Sequence, residues 1–326
     1  MTQALDVVTM GEAMALFVAS EYGPLSRVNG FIKRIAGAEL NFAIGVARLG
    51  HPVGWISRVG DDSFGRFVLD VLAAERIDAA CVRVDASRPT GMMLKTKTDD
   101  GSDPKTEYFR KGSAASALSV ADFVGDYVTG ARHLHLSGVF AAISDDTRQL
   151  AFHAASAMRA AGKPVSFDPN LRPALWRSER EMIDTLNALA AQADIVLPGL
   201  AEGAILTGHR TPEDIARFYL ERGARLVIVK LGEEGAYFST AETSGHVPAY
   251  PVERVVDTVG AGDGFAAGVI SALIEGQSVA DAVARGNWIG ALAIQVIGDS
   301  EGFPTRAALH EYEARRRSGS AEPQHV

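Results

Sequence analysis

Asp263 sits inside DTVGAGDGFAAGV, residues 257–269, where glycines at 260, 262 and 264 crowd a carboxylate against the start of an apolar helical pattern. A glycine turn that opens a helix presents unpaired backbone N–H groups and the positive end of the helix dipole, which together suit an anion. A carboxylate there can be an ordinary helix-start residue, favoured by the same dipole. It can also accept a hydroxyl proton while a phosphoryl group rests on the N–H groups, because phosphoryl transfer needs positioning, charge stabilisation and a residue that orients the nucleophile. Two other glycine motifs fail on spacing. A dinucleotide fingerprint needs glycine at 265, which is Phe265, and a Walker A loop needs Ser or Thr after Gly-Lys, whereas Gly162 and Lys163 are followed by Pro164.

Periodicity supplies the elements that must hold this turn. Residues 6–10, 14–19 and 53–59 read as strands, and 38–50 and 63–77 as helices, the first stopping at Gly50. GMMLKTKT (91–98) and TEYFR (106–110) alternate around the polar turn DDGSD, the pattern of a hairpin. From residue 132 the runs RHLHLSGV, KPVSFD, ADIVLP and ARLVIVKL alternate with helical stretches, which implies a mostly parallel sheet covered by helices on both faces. GAYFST (235–240) reads as a late edge strand, and helical patterns over about 262–275 and 278–297 close the fold. The expectation is one α/β domain over residues 1–310 with a small strand-built insertion, followed by a frayed tail over 311–326.

Composition narrows the function. Of 326 residues 47% are apolar and 22% charged, as in an ordinary soluble globular protein, and the net charge is −8. No long basic run appears, which argues against nucleic acid or an anionic membrane as partner and leaves a small anionic substrate open. Cys81 is the only cysteine, so an intrachain disulfide and a cysteine-based metal cluster are excluded and a reducing compartment is expected. The first residues lack the basic start of a signal peptide, and no apolar run reaches the roughly 18 residues of a membrane span, so a cytoplasmic location is expected. His133 and His135 share one strand face without a third ligand at useful spacing and read as structural, while Arg315, Arg316 and Arg317 read as a solvated run.

DTVGAGDGFAAG resembles the C-terminal signature of the ribokinase-like (PfkB) sugar kinases, and AGAELNFAIGVARLG (36–50) resembles that family's N-terminal glycine motif. With the order of the βα units, the resemblance covers roughly residues 5–310. It implies a three-layer α/β/α sandwich with a mostly parallel central sheet and a β-strand lid, here near residues 11–35 and 89–112. It further implies a homo-oligomer, a dimer or higher, in which pairing covers exposed lid edges. ATP, Mg2+ and a monovalent cation such as K+ are the implied cofactors. By the same resemblance Asp263 is the general base, Gly260, Ala261 and Gly262 form the anion hole, and Asp257 lies beside the monovalent cation. VKLGEEGAY (229–237) puts Lys230, Gly232 and Gly235 near the ATP phosphates and ribose, and Asn287 flanks the adenine pocket. LPGLAEGAILTG (197–208) matches a segment that usually reads P-N-x-x-E; Gly199 replaces the Asn, while Glu202 is kept and would hold magnesium through water.

The substrate branch follows from GAE-x-N, TEYFRKGSAASAL (106–118) and FDPNLRPALW (167–176), which resemble the 2-keto-3-deoxygluconate kinase branch of the family. A keto-deoxy acid carries a carboxylate, for which a planar guanidinium is suited, and Arg110 and Arg172 are the candidates. Gly37, Ala38, Glu39, Asn41, Tyr108, Asp263 and Asp299 complete the implied sugar site, with Asn170 and Arg172 near both substrates. Ala36 replaces the first glycine of the usual pair, and Phe109 stands where a second tyrosine is common, which would remove a hydroxyl donor. The alternatives are a fructokinase or ribokinase of the same fold, for which the two arginines are unneeded, and a non-catalytic sugar-binding regulator.

Overall fold

Neighbouring strand residues separate into two hydrophobic cores. Val7, Trp55, Leu226 and Ile228 join one, while Val8, Ile56, Val227 and Val229 join the other, as the period of a strand buried on both faces requires. A computed structural model of the protein describes residues 4–98 and 104–318. The chain begins with β1 (Val7–Met10), β2 (Met14–Tyr22), β3 (Phe31–Ala36), α1 (Ala38–Arg48), β4 (Val53–Gly60) and α2 (Ser63–Ala74). Next come β5 (Asp78–Asp85), β6 (Gly91–Lys97), β7 (Thr106–Phe109) and α3 (Gly125–Gly130). The alternating half holds β8 (His133–Ser137), α4 (Gly138–Ile143), α5 (Asp145–Ala160), β9 (Val165–Asp168), α6 (Glu179–Ala190), β10 (Ile195–Val196), α7 (Leu200–Thr207), α8 (Pro212–Leu220) and β11 (Leu226–Lys230). It closes with β12 (Ala236–Ser239), β13 (Ser244–Val247), α9 (Ala261–Ile274), α10 (Val279–Ala293) and α11 (Arg306–Ser318).

Among the described residues, nine strands form the main sheet in the order β13-β12-β11-β10-β9-β8-β1-β4-β5, and four form a second sheet, β3-β2-β6-β7. The main sheet is parallel from β5 across to β11; β12 and β13 run antiparallel. Helices α1, α2, α9, α10 and α11 pack on one face and α5, α6 and α8 on the other. The sheet is therefore the middle of three layers. No helix among the described residues is long and apolar enough to cross a membrane.

The structure corrects several local expectations. β12 is not an edge, because β13 pairs with it through Ala236↔Val247 to Ser239↔Ser244. β3, β5 and β13 carry alternating or polar patterns that do not stand out in sequence, and pairing rather than propensity holds them. β6 and β7 do form an antiparallel pair, from Met92↔Phe109 to Lys95↔Thr106, but the turn at residues 99–103 lies outside the described residues. The end after 310 is helical through Ser318, held by Tyr312 stacked on Trp288 at 4.2 Å and by Glu313 paired with the buried Arg285. His133 Nε2 and His135 Nδ1 both bond Ser166 Oγ at 2.8 Å; burial pushes His133 down to about 3, so it is neutral and structural.

Candidate active site

Helices α1 and α9 lie close together because small residues face each other: a side-chain carbon added at Gly45 would come within 2.7 Å of Ala267 Cβ. That approach joins Asn41, in the first turns of α1, to Asp263, in the first turn of α9, with Asn41 Nδ2 donating to Oδ2 at 2.9 Å. From the other side Asn170, just beyond β9, donates through Nδ2 to Asp263 Oδ1 at 3.3 Å. Asn170 takes φ 38, a left-handed conformation that asparagine tolerates better than most residues. Burial is the largest influence on the Asp263 carboxyl and pushes its pKa up to about 8; Asn41 opposes it, Asp168 reinforces it and Arg172 opposes it.

The turn before Asp263 is built to stay open. Gly260 has φ 84, and a side chain there would meet the Asp299 carbonyl oxygen at 1.8 Å. α9 starts immediately after it, so the first N–H groups of the helix face the cleft without intrahelical partners. Lys230, the last residue of β11, brings a positive charge to the same place, since a carbon added at Gly262 would lie 3.5 Å from Nζ. Nζ donates to Asp168 Oδ2 at 2.6 Å. Burial works against the ammonium, but Asp168 and Glu202 outweigh it and the pKa is raised.

A cleft of about 500 Å3 opens between this floor and the second sheet. Gly37, Ala38, Asn41, Tyr108, Arg110, Arg172, Asp299 and Ala36 border it, as do Asn170, Glu202, Lys230, Gly260, Gly262 and Asp263. Arg110 is held by Glu12, whose Oε2 accepts from Nε at 2.7 Å; Glu12 is itself buried and also accepts from Ser113 Oγ. Arg172 is exposed and donates from Nη1 to the Leu171 carbonyl at 2.8 Å. Glu202 accepts from the amides of Leu171 at 2.8 Å and Gly199 at 2.7 Å, so it ties the start of α7 to the strand-end loop while still bordering the cleft.

Other candidates sit elsewhere. Glu39 is buried behind the floor, where Ser137 Oγ and the Phe140 amide donate to it, and burial raises its pKa despite them. It supports the wall rather than bordering the cleft. Asn287 donates from Nδ2 to the carbonyls of Val247 at 3.1 Å and Pro248 at 2.9 Å, fixing the end of β13 to α10. Gly232 and Gly235 shape the turn between β11 and β12 with φ 62 and 96 and do not border the cleft; Ala261 contributes the first helical residue of α9. Phe109 is directed away from the cleft by strand alternation between Tyr108 and Arg110, so the missing hydroxyl is not missing from the site. Asp257 Oδ2 accepts from the buried ammonium of Lys95 at 2.6 Å.

Three residues escaped the sequence reading. Asp168 ends β9 inside FDPN, at the carboxyl end of a parallel strand where ligands collect. Glu12, in the short connection between two apolar strand runs, and Lys95, inside a strand run, are charges in apolar surroundings, the one signal that could have flagged them as buried and partnered.

With this geometry in place, a profile for the pfkB family carbohydrate kinases matches residues 4–306. The chain belongs to the PfkB family. It is thus a carbohydrate kinase. Over 315 residues the chain is 50% identical to 2-dehydro-3-deoxygluconokinase from Bacillus subtilis (strain 168), covering 96% of this chain and 97% of that one. The PfkB protein from Polaromonas sp. JS666 superposes with a TM-score of 0.88 at 55% identity, covering 94% of this chain and 99% of that one. A ribokinase II from E. coli, solved in complex with ATP and Mg2+, superposes with a TM-score of 0.88 at 31% identity, covering 95% and 99%.

Proposed function

We propose that this kinase transfers the γ-phosphoryl group of ATP to the primary hydroxyl of 2-keto-3-deoxygluconate, giving the 6-phosphate. The observation that carries this reading is Asp263, held by Asn41 and Asn170 beside an open helix start and Lys230. Asp263 takes the proton of the attacking hydroxyl, while the amides from Gly260 to Gly262 and the Lys230 ammonium receive charge developing on the transferred group. The B. subtilis relative, matched along nearly its whole length, supports the choice of sugar acid.

Among the described residues no three His, Cys, Asp or Glu side chains form a metal cage. Magnesium commonly keeps its waters and takes one or two carboxylates together with substrate phosphates. Asp168 and Glu202 both border the cleft, with Glu202 near enough to raise the cost of ionising Asp168, and they fit that need on the phosphate side. When bound, Mg2+ neutralises phosphate charge; Lys230 and the helix start position the phosphoryl group.

Arg172 and Arg110 are the residues for the sugar carboxylate. One observation favours a neutral sugar instead, as in a fructokinase: Arg110 already has a buried carboxylate partner in Glu12. ADP release with 2-keto-3-deoxygluconate, its galactose epimer, fructose and ribose separates the readings. The sugar acids should lead in kcat/KM by about tenfold or more, about 1.4 kcal/mol; a lead for fructose or ribose overturns the substrate assignment. The same reading includes a cytoplasmic enzyme that self-associates through the lid, where Tyr22, Phe31, Ile32 and Phe109 are exposed. Cell fractionation and sedimentation velocity test those two points.

A further inference from the structure

Lys95 is a buried ammonium that the steps above do not use. It belongs to β6 of the lid sheet, is 1% exposed, and reaches out of that sheet to Asp257 Oδ2 at 2.6 Å and Asp299 Oδ1 at 3.3 Å. Asp257 and Asp299 are themselves 5% and 4% exposed. Each belongs to a loop that shapes the anion cradle. Asp257 Oδ1 accepts from the Val259 amide at 3.2 Å, and its Oδ2 accepts from the Gly298 amide at 3.3 Å, so this carboxylate ties the two loops together. The Asp299 carbonyl in turn lies where a side chain at Gly260 would have to go.

Two carboxylates this close and this buried repel each other unless a cation lies between them. We propose that Lys95 is a positioning residue for phosphoryl transfer: an internal monovalent cation, carried by the lid, that holds the loops around Gly260 in place. The proposal rests on the kinase reading above. The register adds a consequence. Lys95 pairs with Thr106 and Met93 with Tyr108, so the hairpin that brings Tyr108 and Arg110 to the sugar also delivers this cation to the cradle. Lid position and cradle geometry are thereby set by one strand pair.

The test compares salts. Wild-type ADP formation should stay within about twofold when KCl is replaced by choline chloride at equal ionic strength, because the cation is built in. Lys95→Ala should lose about 100-fold in kcat, the scale of a misplaced reacting group, with a smaller change in sugar KM. Potassium or ammonium should restore about tenfold or more of that loss, since either fits the space between two carboxylates, while choline should not. Lys95→Met, which fills the space without charge, should lose rate and gain nothing from any salt. A folded Lys95→Ala without a cation response overturns the proposal, whatever its residual rate. So does a wild type that requires potassium, a result that needs no variant to fold. A wild type that turns over no sugar at all sinks the kinase reading instead, which keeps the two failures apart.

Discussion

Asn41 bonds Asp263 through its amide nitrogen, and its own carbonyl oxygen, also buried, has no hydrogen-bond partner among the described residues. A buried acceptor left unpaired costs about 1–3 kcal/mol, which a hydroxyl donor in the cleft would relieve. One side chain therefore orients the base and offers an acceptor to the sugar, so that a hydroxyl is read at the same point where a proton is removed. Asn41→Ala should raise sugar KM and lower kcat together, each by about tenfold or more, whereas loss of a binding contact alone would move KM only. Steady-state kinetics on the purified variant decide between the two.

The raised pKa of Asp263 sets the pH behaviour. A base works ionised, so kcat/KM should climb with pH and level off near about 8. Arg172 pulls this pKa down, so Arg172→Ala should move the limb to higher pH, and Asp168→Asn should move it lower by removing a carboxylate that pushes it up. Asp263→Asn should remove the limb together with about 100- to 10,000-fold of the rate, leaving sugar binding within several-fold. Stability follows with the opposite sign. The folded enzyme holds this proton above the ordinary 3.8, so between there and about 8 the carboxyl's contribution to stability falls as pH rises. The melting temperature of Asp263→Asn should thus gain on the wild type as pH rises through that window. A limb at the ordinary carboxylate range would show that burial does not hold this proton during turnover, and an Asp263→Asn enzyme that keeps the limb and the rate would remove Asp263 from the base role.

The terminal helix should matter for stability and little for chemistry. Arg285 is 1% exposed and pairs with Glu275 at 2.7 Å and with Glu313 of α11, while Leu309 is fully buried. A chain ending at residue 305 strips away one of two carboxylates from a buried guanidinium and uncovers Trp288. It should lose roughly 3–5 kcal/mol, the range for breaking a buried ion pair. Urea unfolding measures it, with kcat per folded molecule expected near the wild-type value. An unchanged midpoint would mean that α11 only rests on the surface.

That helix also shows what the sequence concealed. HEYEARRRSGS is polar, and its anchor Tyr312 gains meaning only from Trp288 on α10. The parallel strands, the glycine turn and Asp263 were legible, because each is announced by neighbours in sequence: apolar runs, turn residues and a helix start. Glu39 and Asn287 were legible as residues but not in what they touch, since a buried carboxylate with Ser137 and an amide on Val247 depend on distant chain segments. Lys95 is the sharpest case. Its charge conflicts with the buried face of its own strand, and the conflict resolves only where Asp257 and Asp299 arrive from the other end of the chain.

The two arginines divide the substrate question unequally. Arg110 has Glu12 as a close partner, side chains 11% and 1% exposed, so Arg110→Ala leaves a carboxylate buried and unpaired. Its loss of activity would mix binding with roughly 3–5 kcal/mol of destabilisation. Arg172 is exposed at the cleft, and its removal costs the fold little. Arg172→Ala should therefore lower kcat/KM for the sugar acids by about tenfold or more, while leaving the low activity on fructose within about twofold, since a lost charged hydrogen bond is worth roughly 1.5–3 kcal/mol. The assay is run above the pH limb, so that the change in the Asp263 pKa does not enter. Equal losses on sugar acid and fructose would assign Arg172 to the phosphate side of the cleft and leave Arg110 alone to read the carboxylate. In that case Glu12→Gln, which frees the Arg110 guanidinium, should raise affinity for the sugar acids and not for fructose.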